Sequence, residues 1–341
     1  MLEFFYDFAL FFLKTFTVSA CIIIVCGSIL ALSVRSKRTH KEEMSVEKLN
    51  DRYLELKDGI MEEVLDSHEW KKYVKTQKEE QKEEEKKQKK KEIDASEKKR
   101  LYVLDFKGDV HAEGVDLLSE EITAILSVAR PIDEVLLRLE SPGGVVHGYG
   151  LAASQLHRLR KKNIHLTVAV DKVAASGGYL MACVADKIIA APFAVLGSVG
   201  VVAQLLNFNR VLRKYDVEVE LHTAGQFKRT LTPLGENTEE ARQKFKEELE
   251  DVHILFKDYV HEHRAVVDIE KIATGEHWFG RRALDLKLVD EILTSDEYLL
   301  SLSEAVDIFL VKIERKKSLA QKMLGDFQGF LQKTFFAQNI P

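Results

Sequence analysis

The sequence has few cysteines and few prolines, and it has no excess of positive charge. Three cysteines among 341 residues exclude a small secreted protein held together by disulfides, and without a C-x-x-C pair a cysteine zinc site is not indicated. Fifty basic against 55 acidic side chains leave a net charge of −5, so no basic field indicates a nucleic-acid partner. None of the five prolines precedes Pro131, which separates a proline-free first part from the rest of the chain.

The proline-free part begins with an apolar segment long enough to cross a membrane. Thr15–Val34 comprises 20 residues without Asp, Glu, Lys or Arg, and a helix needs about 20 residues to cross about 30 Å of hydrocarbon. With the aromatic residues before it, the span is predicted at about residues 12–34. A cleaved signal peptide would begin with basic residues, whereas Glu3 and Asp7 come first here. The sequence therefore predicts an uncleaved anchor rather than a signal peptide or a buried helix.

Charged residues follow the predicted span. Arg35, Lys37, Arg38 and Lys41 form a basic collar at the end of the predicted anchor region, residues 1–40. By the positive-inside rule this collar favours a cytoplasmic C-terminal domain, although a long domain can override the bias. Residues 41–100 are predicted to form a charged stalk, helical or disordered, because 15 of the 21 residues in Lys71–Lys91 are Lys or Glu. Contact of this segment with anionic lipid is the alternative, which the interspersed glutamates disfavour.

From Leu101 onward, predicted strands alternate with predicted helices. LYVLDFK, EVLLRLE and IHLTVAV have the short apolar pattern of strands, and the intervening Leu117–Ala129 and Tyr149–Lys161 have helical spacing. This alternation predicts an α/β domain over residues 101–300, with parallel strands joined by helical crossovers. A further strand is predicted at VEVEL, which His222 closes.

Two more apolar segments require an interpretation. Ile188–Asn209 contains no charged residue, but Pro192, Gly197 and Gly200 interrupt it. These breakers predict a buried strand, a turn and the start of a helix rather than a second membrane span. Residues 301–341 are predicted to be a C-terminal extension with an amphipathic helix, which packs on its own domain or lies on a neighbouring molecule or on lipid.

Ser176 follows the third predicted strand within the segment AASGGYLMACVA. A serine between a strand and a helix, followed by two glycines, suits a nucleophile, because a substrate can approach closely and N–H groups face developing negative charge. A serine that caps a helix has the same position, so this motif alone leaves both interpretations open. Ala174 replaces the first glycine of the G-x-S-x-G motif, which is therefore absent.

A nucleophilic serine needs a general base, and histidine and lysine are the candidates. His147, His165 and His222 have no acidic partner evident in the sequence, and histidines on strands or surfaces are more often structural. Lys228 follows Gly225 in a loop-like segment. A lysine acts as a base only in its neutral form, which requires burial among apolar neighbours. Spacing alone does not distinguish Lys228 from an exposed loop lysine.

Four motifs occur in order between about Leu101 and Ile292: Ser-Pro-Gly-Gly after a strand, Ala-Ala-Ser-Gly-Gly-Tyr, Gly-Ser-Val-Gly-Val-Val and the lysine of Thr-Ala-Gly-x-x-Lys. Together they resemble the signal peptide peptidase A family of membrane serine proteases, peptidase family S49, and within it the single-domain members of the bacterial inner membrane. The resemblance implies the ClpP/crotonase-like spiral α/β fold. It also implies a Ser-Lys dyad, with Ser176 as nucleophile and Lys228, 52 residues later, as general base.

The same resemblance implies the rest of the site. The backbone N–H groups of Gly143, Gly144 and Gly177 would form the oxyanion hole, since such donors stabilise a tetrahedral oxygen. No cofactor and no metal is implied, and the sequence contains neither G-x-x-x-x-G-K-[ST] nor H-E-x-x-H. One departure from the family is Lys287, which replaces a glycine and would cost about 1 kcal/mol if its φ is positive.

The expected function is that of a serine endopeptidase anchored in the bacterial inner membrane. It would hydrolyse short unstructured or apolar peptides, such as released signal peptides, through an acyl-enzyme. Its other partners would be the lipid bilayer and further copies of the chain in a homo-oligomeric ring. A catalytically idle membrane scaffold of the same fold is one alternative. A crotonase-like acyl-CoA enzyme is another, but it needs a carboxylate where Ala174–Val184 has none.

Overall fold

A computed structural model describes residues 6 and 8 and residues 10–21, 42–90 and 98–315. Near the N-terminus, helix α1 covers residues 10–21. No helix among the described residues is both long enough and apolar enough to cross a membrane. Residues 22–34 of the predicted span and residues 316–341, where the C-terminal amphipathic helix is predicted, lie outside the described residues.

The chain divides into two compact units, Met1–Ser45 with Ile313–Pro341, and Val46–Lys312. The strands are β1 (Glu42–Lys48), β2 (Arg100–Lys107), β3 (Glu134–Glu140), β4 (His165–Val170), β5 (Val173–Ala175), β6 (Lys187–Ala190), β7 (Val195–Gly197), β8 (His277–Phe279), β9 (Glu291–Ile292) and β10 (Asp307–Arg315). The helices after α1 are α2 (Leu49–Val64), α3 (Ser67–Lys90), α4 (Val115–Val128), α5 (Val146–Lys161), α6 (Gly177–Ala182), α7 (Asn209–Lys214), α8 (Glu239–His263), α9 (Ile269–Ile272), α10 (Gly280–Asp285) and α11 (Ser295–Leu302).

Among the described residues, the main sheet has seven strands in the order β1-β10-β2-β3-β4-β6-β9. The pairs β2–β3, β3–β4 and β4–β6 are parallel, with Leu101 opposite Glu134 and Glu134 opposite His165. Because α4 and α5 connect consecutive parallel strands, the predicted α/β alternation is confirmed. A second sheet has the order β5-β7-β8, with β5 parallel to β7 and β8 antiparallel to β7.

The main sheet is covered on both faces, which explains the nearly continuous apolar sequences of its central strands. Val135 and Leu137 belong to the larger buried cluster on one face, together with Ile122 of α4 and Leu156 of α5. Leu136, which points the other way, belongs to a smaller cluster on the opposite face. Burial of one such side chain stabilises the fold by about 1.5–3 kcal/mol. This packing holds the ends of β3 and β4 in place, and the turns of the site emerge there.

The segment predicted as a charged stalk contains regular structure. It forms β1, α2 and α3, so its charged part is helical. The start of α2 packs on the main sheet: Leu49 is buried, and Asn50 Nδ2 donates to the carbonyl oxygens of Ser303 (2.7 Å) and Val306 (2.9 Å). Asn50 Oδ1 also accepts a hydrogen bond from Ile308 N–H at 2.7 Å. The start of α2 therefore belongs to the same folded unit as the central strands of the sheet.

Ile188–Asn209 contains the predicted strand, turn and helix start, as β6, the turn at Pro192 and Phe193, and the first residue of α7, but also a short strand, β7, that was not predicted. Its first half belongs to the core, as expected. The prediction of burial is wrong for its second half, since Val202 is 91% and Leu206 65% exposed. After β7 the chain leaves the sheet, and Asn207 Nδ2 binds the carbonyl oxygen of Thr232 at 2.8 Å. This segment therefore packs on another loop rather than on the core.

The strand predicted at VEVEL is also absent from the structure. Val217–Leu221 has no regular secondary structure, and Val219 and Leu221 are exposed. Alternating valine and glutamate suits a strand with one buried face, but a strand also needs a neighbour to complete its hydrogen bonds. Among the described residues no strand pairs with this segment.

Candidate active site

Ser176 lies between β5 and α6 in a backbone conformation that L-residues rarely adopt. Its φ of 52° and ψ of −120° correspond to roughly 1–3 kcal/mol of strain. The conformation is held on both sides, because Ser176 N–H donates to Gly197 O (2.8 Å) and Ser176 O accepts from Leu180 N–H (3.0 Å). Its side chain makes no capping hydrogen bond to α6. Helix capping therefore does not explain the serine at this position.

The turn at Gly143 and Gly144 lies directly against Ser176. Gly143 has a φ of 86°, and a Cβ placed on it would lie 2.7 Å from Ser176 Cβ and from Gly177 N. A Cβ on Gly144 would lie 2.1 Å from Val110 O. Both positions therefore require glycine because of the close approach of other atoms. The structure brings the three predicted oxyanion-hole glycines together beside Ser176.

The three glycine N–H groups differ in their availability. Gly143 N–H donates to Ser141 Oγ at 3.1 Å and is already engaged. Gly144 N–H and Gly177 N–H have no acceptor among the described residues. Gly177 is the first residue of α6, where N–H groups have no partner within the helix. Two of the three predicted donors are thus available to a substrate.

Tyr149 contacts the site and was not predicted from the sequence. It is fully buried, its hydroxyl lies 2.6 Å from Ser141 Oγ, and it donates to Asp109 O at 2.7 Å. A Cβ on Gly177 would lie 2.4 Å from Tyr149 Cγ, so the ring packs against the backbone next to Ser176. Burial raises the pKa of Tyr149, and the phenol keeps its proton. In the sequence, a tyrosine on a helix resembles any other core residue.

Ser176 faces a cavity of about 260 Å³. Four segments surround it: the start of α5, helix α6, the residues that follow Gly200, and the second half of α8. Its lining is mostly apolar and includes Val146, Leu180, Val201, Val202, Val252, Leu255, Phe256 and Tyr259, beside Gly144, Ser176 and Gly177. The serine hydroxyl and two free N–H groups therefore lie at one side of an apolar recess.

Lys228 lies in the loop between α7 and α8, and its side chain is exposed. Its N–H donates to Gly225 O at 3.2 Å. The side chain is not among those that line the cavity at Ser176. The cation over the Phe227 ring is that of Lys244, whose Nζ lies 5.3 Å from the ring centroid. The described chain thus does not bury Lys228, which its predicted role as a base requires.

The candidate histidine bases, His147, His165 and His222, do not line the cavity. His147 and His165 are exposed, and His165 is the first residue of β4. His222 is exposed as well, and its Nε2 lies 3.3 Å from Glu220 Oε2. Glu220 is thus an acidic partner that the sequence did not indicate. The described ranges contain no group of three or more His, Cys, Asp or Glu residues that could hold a metal ion.

Family models and curated relatives match most of the chain. The family models "Peptidase family S49 N-terminal" and "Peptidase family S49" match residues 3–156 and 158–308. The "Probable protease SohB" of Haemophilus influenzae is 52% identical over 320 residues, which are 92% of this chain and 90% of that protein. The protein of the same description from Buchnera aphidicola subsp. Schlechtendalia chinensis is 51% identical over 311 residues, 88% of this chain and 100% of the relative.

Among solved structures, one similar chain is the membrane-bound stomatin-specific protease 1510-N, as a lysine-to-alanine mutant in complex with a substrate peptide. Its TM-score is 0.42 at 14% sequence identity, and the match covers 68% of this chain and 99% of the other. A serine-to-alanine mutant of the same protease matches with a TM-score of 0.38 at 16% identity, over 60% and 84% of the two chains.

Proposed function

Because the chain belongs to peptidase family S49 and is a serine-type peptidase, we propose that it is an endopeptidase with Ser176 as nucleophile and Lys228 as general base. The observation that carries the assignment of Ser176 is its strained backbone at the edge of the apolar cavity. A glycine there would adopt the same φ without strain, so a scaffold without activity would gain stability by losing this serine.

The proposed reaction is peptide hydrolysis through an acyl-enzyme. Ser176 Oγ attacks the carbonyl carbon of the peptide bond while Lys228 Nζ takes the hydroxyl proton. The oxygen of the tetrahedral intermediate accepts hydrogen bonds from the N–H groups of Gly144 and Gly177, while Gly143 keeps the turn close to the nucleophile. Lys228 returns the proton to the leaving amine. Water then hydrolyses the ester, and Ser176 regains its proton.

Lys228 must be buried before it can act as a base, because removal of water from around Nζ favours the neutral form of the amine. The segment beside the cavity is exposed and apolar, including Val202, Leu205 and Leu206. We propose that copies of the chain assemble into a homo-oligomeric ring that covers this segment and the Lys228 loop. Assembly would then complete the dyad, and the mass of the particle should rise together with peptidase activity as the concentration increases.

The apolar cavity favours apolar side chains in the substrate. The proposed substrates are short, unstructured or apolar peptides, with released signal peptides as one natural source. Such peptides arise at the membrane, which agrees with the anchor predicted at about residues 12–34 and with a location in the bacterial inner membrane. The basic collar favours the cytoplasmic side for the catalytic domain, and a strong signal from a periplasm-only reporter fused to the C-terminus would contradict that orientation. For the domain itself we propose the ClpP/crotonase-like spiral form of the α/β fold.

The test of the dyad is hydrolysis of a labelled apolar peptide by the purified full-length chain. Ser176→Ala should reduce kcat to background, and Lys228→Ala should reduce it by at least about a thousand-fold. Lys244→Ala, at the neighbouring lysine over Phe227, is the matched control and should remain active. Wild-type turnover in Ser176→Ala would remove the nucleophile assignment. Full activity in Lys228→Ala would transfer the role of the base to another residue, with His222 examined first.

A further inference from the structure

A line of hydrogen bonds runs behind the turn that carries Gly143 and Gly144. Gly143 N–H donates to Ser141 Oγ (3.1 Å), Ser141 Oγ lies 2.6 Å from the Tyr149 hydroxyl, and that hydroxyl donates to Asp109 O (2.7 Å). Because the single tyrosine proton goes to Asp109, the Ser141 hydroxyl must donate to Tyr149. Each hydroxyl thus accepts one hydrogen bond and donates one, an arrangement in which the bonds strengthen each other.

The two hydroxyl groups of this line are enclosed by backbone. Ser141 and Tyr149 are both fully buried. A Cβ on Gly108 would lie 2.4 Å from Ser141 Oγ and equally close to the Tyr149 hydroxyl oxygen, which leaves no room for a methyl group beside the pair. The Ser141 backbone is held as well, since its N–H donates to Val173 O (2.8 Å) and its carbonyl accepts from Ala175 N–H (3.0 Å).

Tyr149 is therefore linked to both sides of the proposed oxyanion hole, directly to Gly177 and indirectly to the turn at Gly143 and Gly144. Its hydroxyl reaches Gly143 through Ser141, and its ring packs on Gly177. We infer that Tyr149 is a positioning residue, which fixes the Gly144 and Gly177 N–H groups relative to each other and to Ser176. This inference rests on the function proposed above, in which those N–H groups bind the oxyanion.

The variant that tests the inference is Tyr149→Phe, because it keeps the ring against Gly177 and removes only the hydroxyl. Ser141 then loses its acceptor, and the turn loses its fixed position. Displacement of a catalytic group by about 1 Å can lower a rate about 100-fold, so we expect kcat to fall by about 10- to 100-fold with little change in KM. Binding of the peptide to the same variant in a Ser176→Ala background should match that of Ser176→Ala alone.

Ser141→Ala provides a second route to the same result. It removes the acceptor of Gly143 N–H and also leaves Tyr149 with one partner fewer. If both residues act through one line of hydrogen bonds, the double variant of Ser141 and Tyr149 should lose no more activity than the more impaired single variant. Strictly multiplicative losses would mean that the residues act separately, and would overturn the inference.

Tyr179→Phe is the matched control, since Tyr179 is also fully buried and its hydroxyl donates to a backbone carbonyl, that of Leu288, at 3.0 Å. It should lose comparable stability and keep its kcat. Equal kcat losses in Tyr179→Phe and Tyr149→Phe would reduce Tyr149 to a structural role, and wild-type kcat in Tyr149→Phe would overturn the inference outright. In both cases an inactive Ser176→Ala would leave the proposed function standing, whereas an active one would remove both.

Discussion

Replacement of Gly143 by alanine should disable the site through a distortion that can be estimated from the structure. At a φ of 86° alanine costs about 1–2 kcal/mol. The new methyl carbon would also lie 2.7 Å from Ala175 O, Gly177 N and Ser176 Cβ, and overpacking of this kind costs about 1–3 kcal/mol. The free energy of unfolding should therefore fall by about 2–5 kcal/mol. All three crowded atoms belong to the turn that carries the nucleophile.

The effect on activity follows from the displacement of Gly177 N–H. Loss of one oxyanion-hole donor lowers kcat by about 100- to 1,000-fold, which steady-state hydrolysis of an apolar peptide by the full-length chain would measure. The matched control is Gly275→Ala, because Gly275 has a φ of 84° but nothing within 4 Å of a Cβ. It should lose only the 1–2 kcal/mol of the backbone cost and retain its activity. Activity in Gly143→Ala equal to that in the control would refute the reasoning.

Three further predictions concern stability. Lys287 has a φ of 62°, so Lys287→Gly should raise the free energy of unfolding by about 1 kcal/mol, and an unchanged or lower Tm would contradict this. Burial would raise the pKa of Asp133, but hydrogen bonds from Arg130 hold it below its usual range. The resulting stability is present above about pH 4 and is lost as the pH falls through the lowered folded value, so in denaturant titrations Asp133→Asn should flatten the acid branch. Burial, and then the neighbouring His263, lower the pKa of His157. The folded state therefore resists protonation that the unfolded chain accepts, and stability should fall below about pH 6.5. His157→Gln should remove that part of the slope, and a slope equal to wild type would exclude His157 as its source.

The strands of the α/β domain were predictable because buried parallel strands carry an uninterrupted apolar pattern. EVLLRLE corresponds to Glu134–Glu140 residue for residue. The same rule fails where an apolar or alternating pattern lacks a partner. Val217–Leu221 has the alternation of a strand without a neighbouring strand, and Val202 lies in an apolar segment but is exposed. The pattern of apolar residues shows which face of a segment could be buried. Whether that face is buried depends on the elements that pack beside it in the fold.

The candidate site shows the same contrast between local sequence pattern and tertiary packing. The order of the residues, through the resemblance of several motifs to a known family, was enough to predict Ser176, Lys228 and the glycines as site residues. Whether Ser176 caps a helix or stands in a strained turn depends on its φ and on the hydrogen bond that its N–H donates to the carbonyl oxygen of Gly197, 21 positions later. Only folding brings such groups together. The role inferred for Tyr149 likewise depends on contacts with Asp109 and Gly177, distant in sequence, and no local pattern separates it from an ordinary core tyrosine. The order of the residues thus predicts which groups carry the chemistry, whereas three-dimensional packing determines which backbone donors are free.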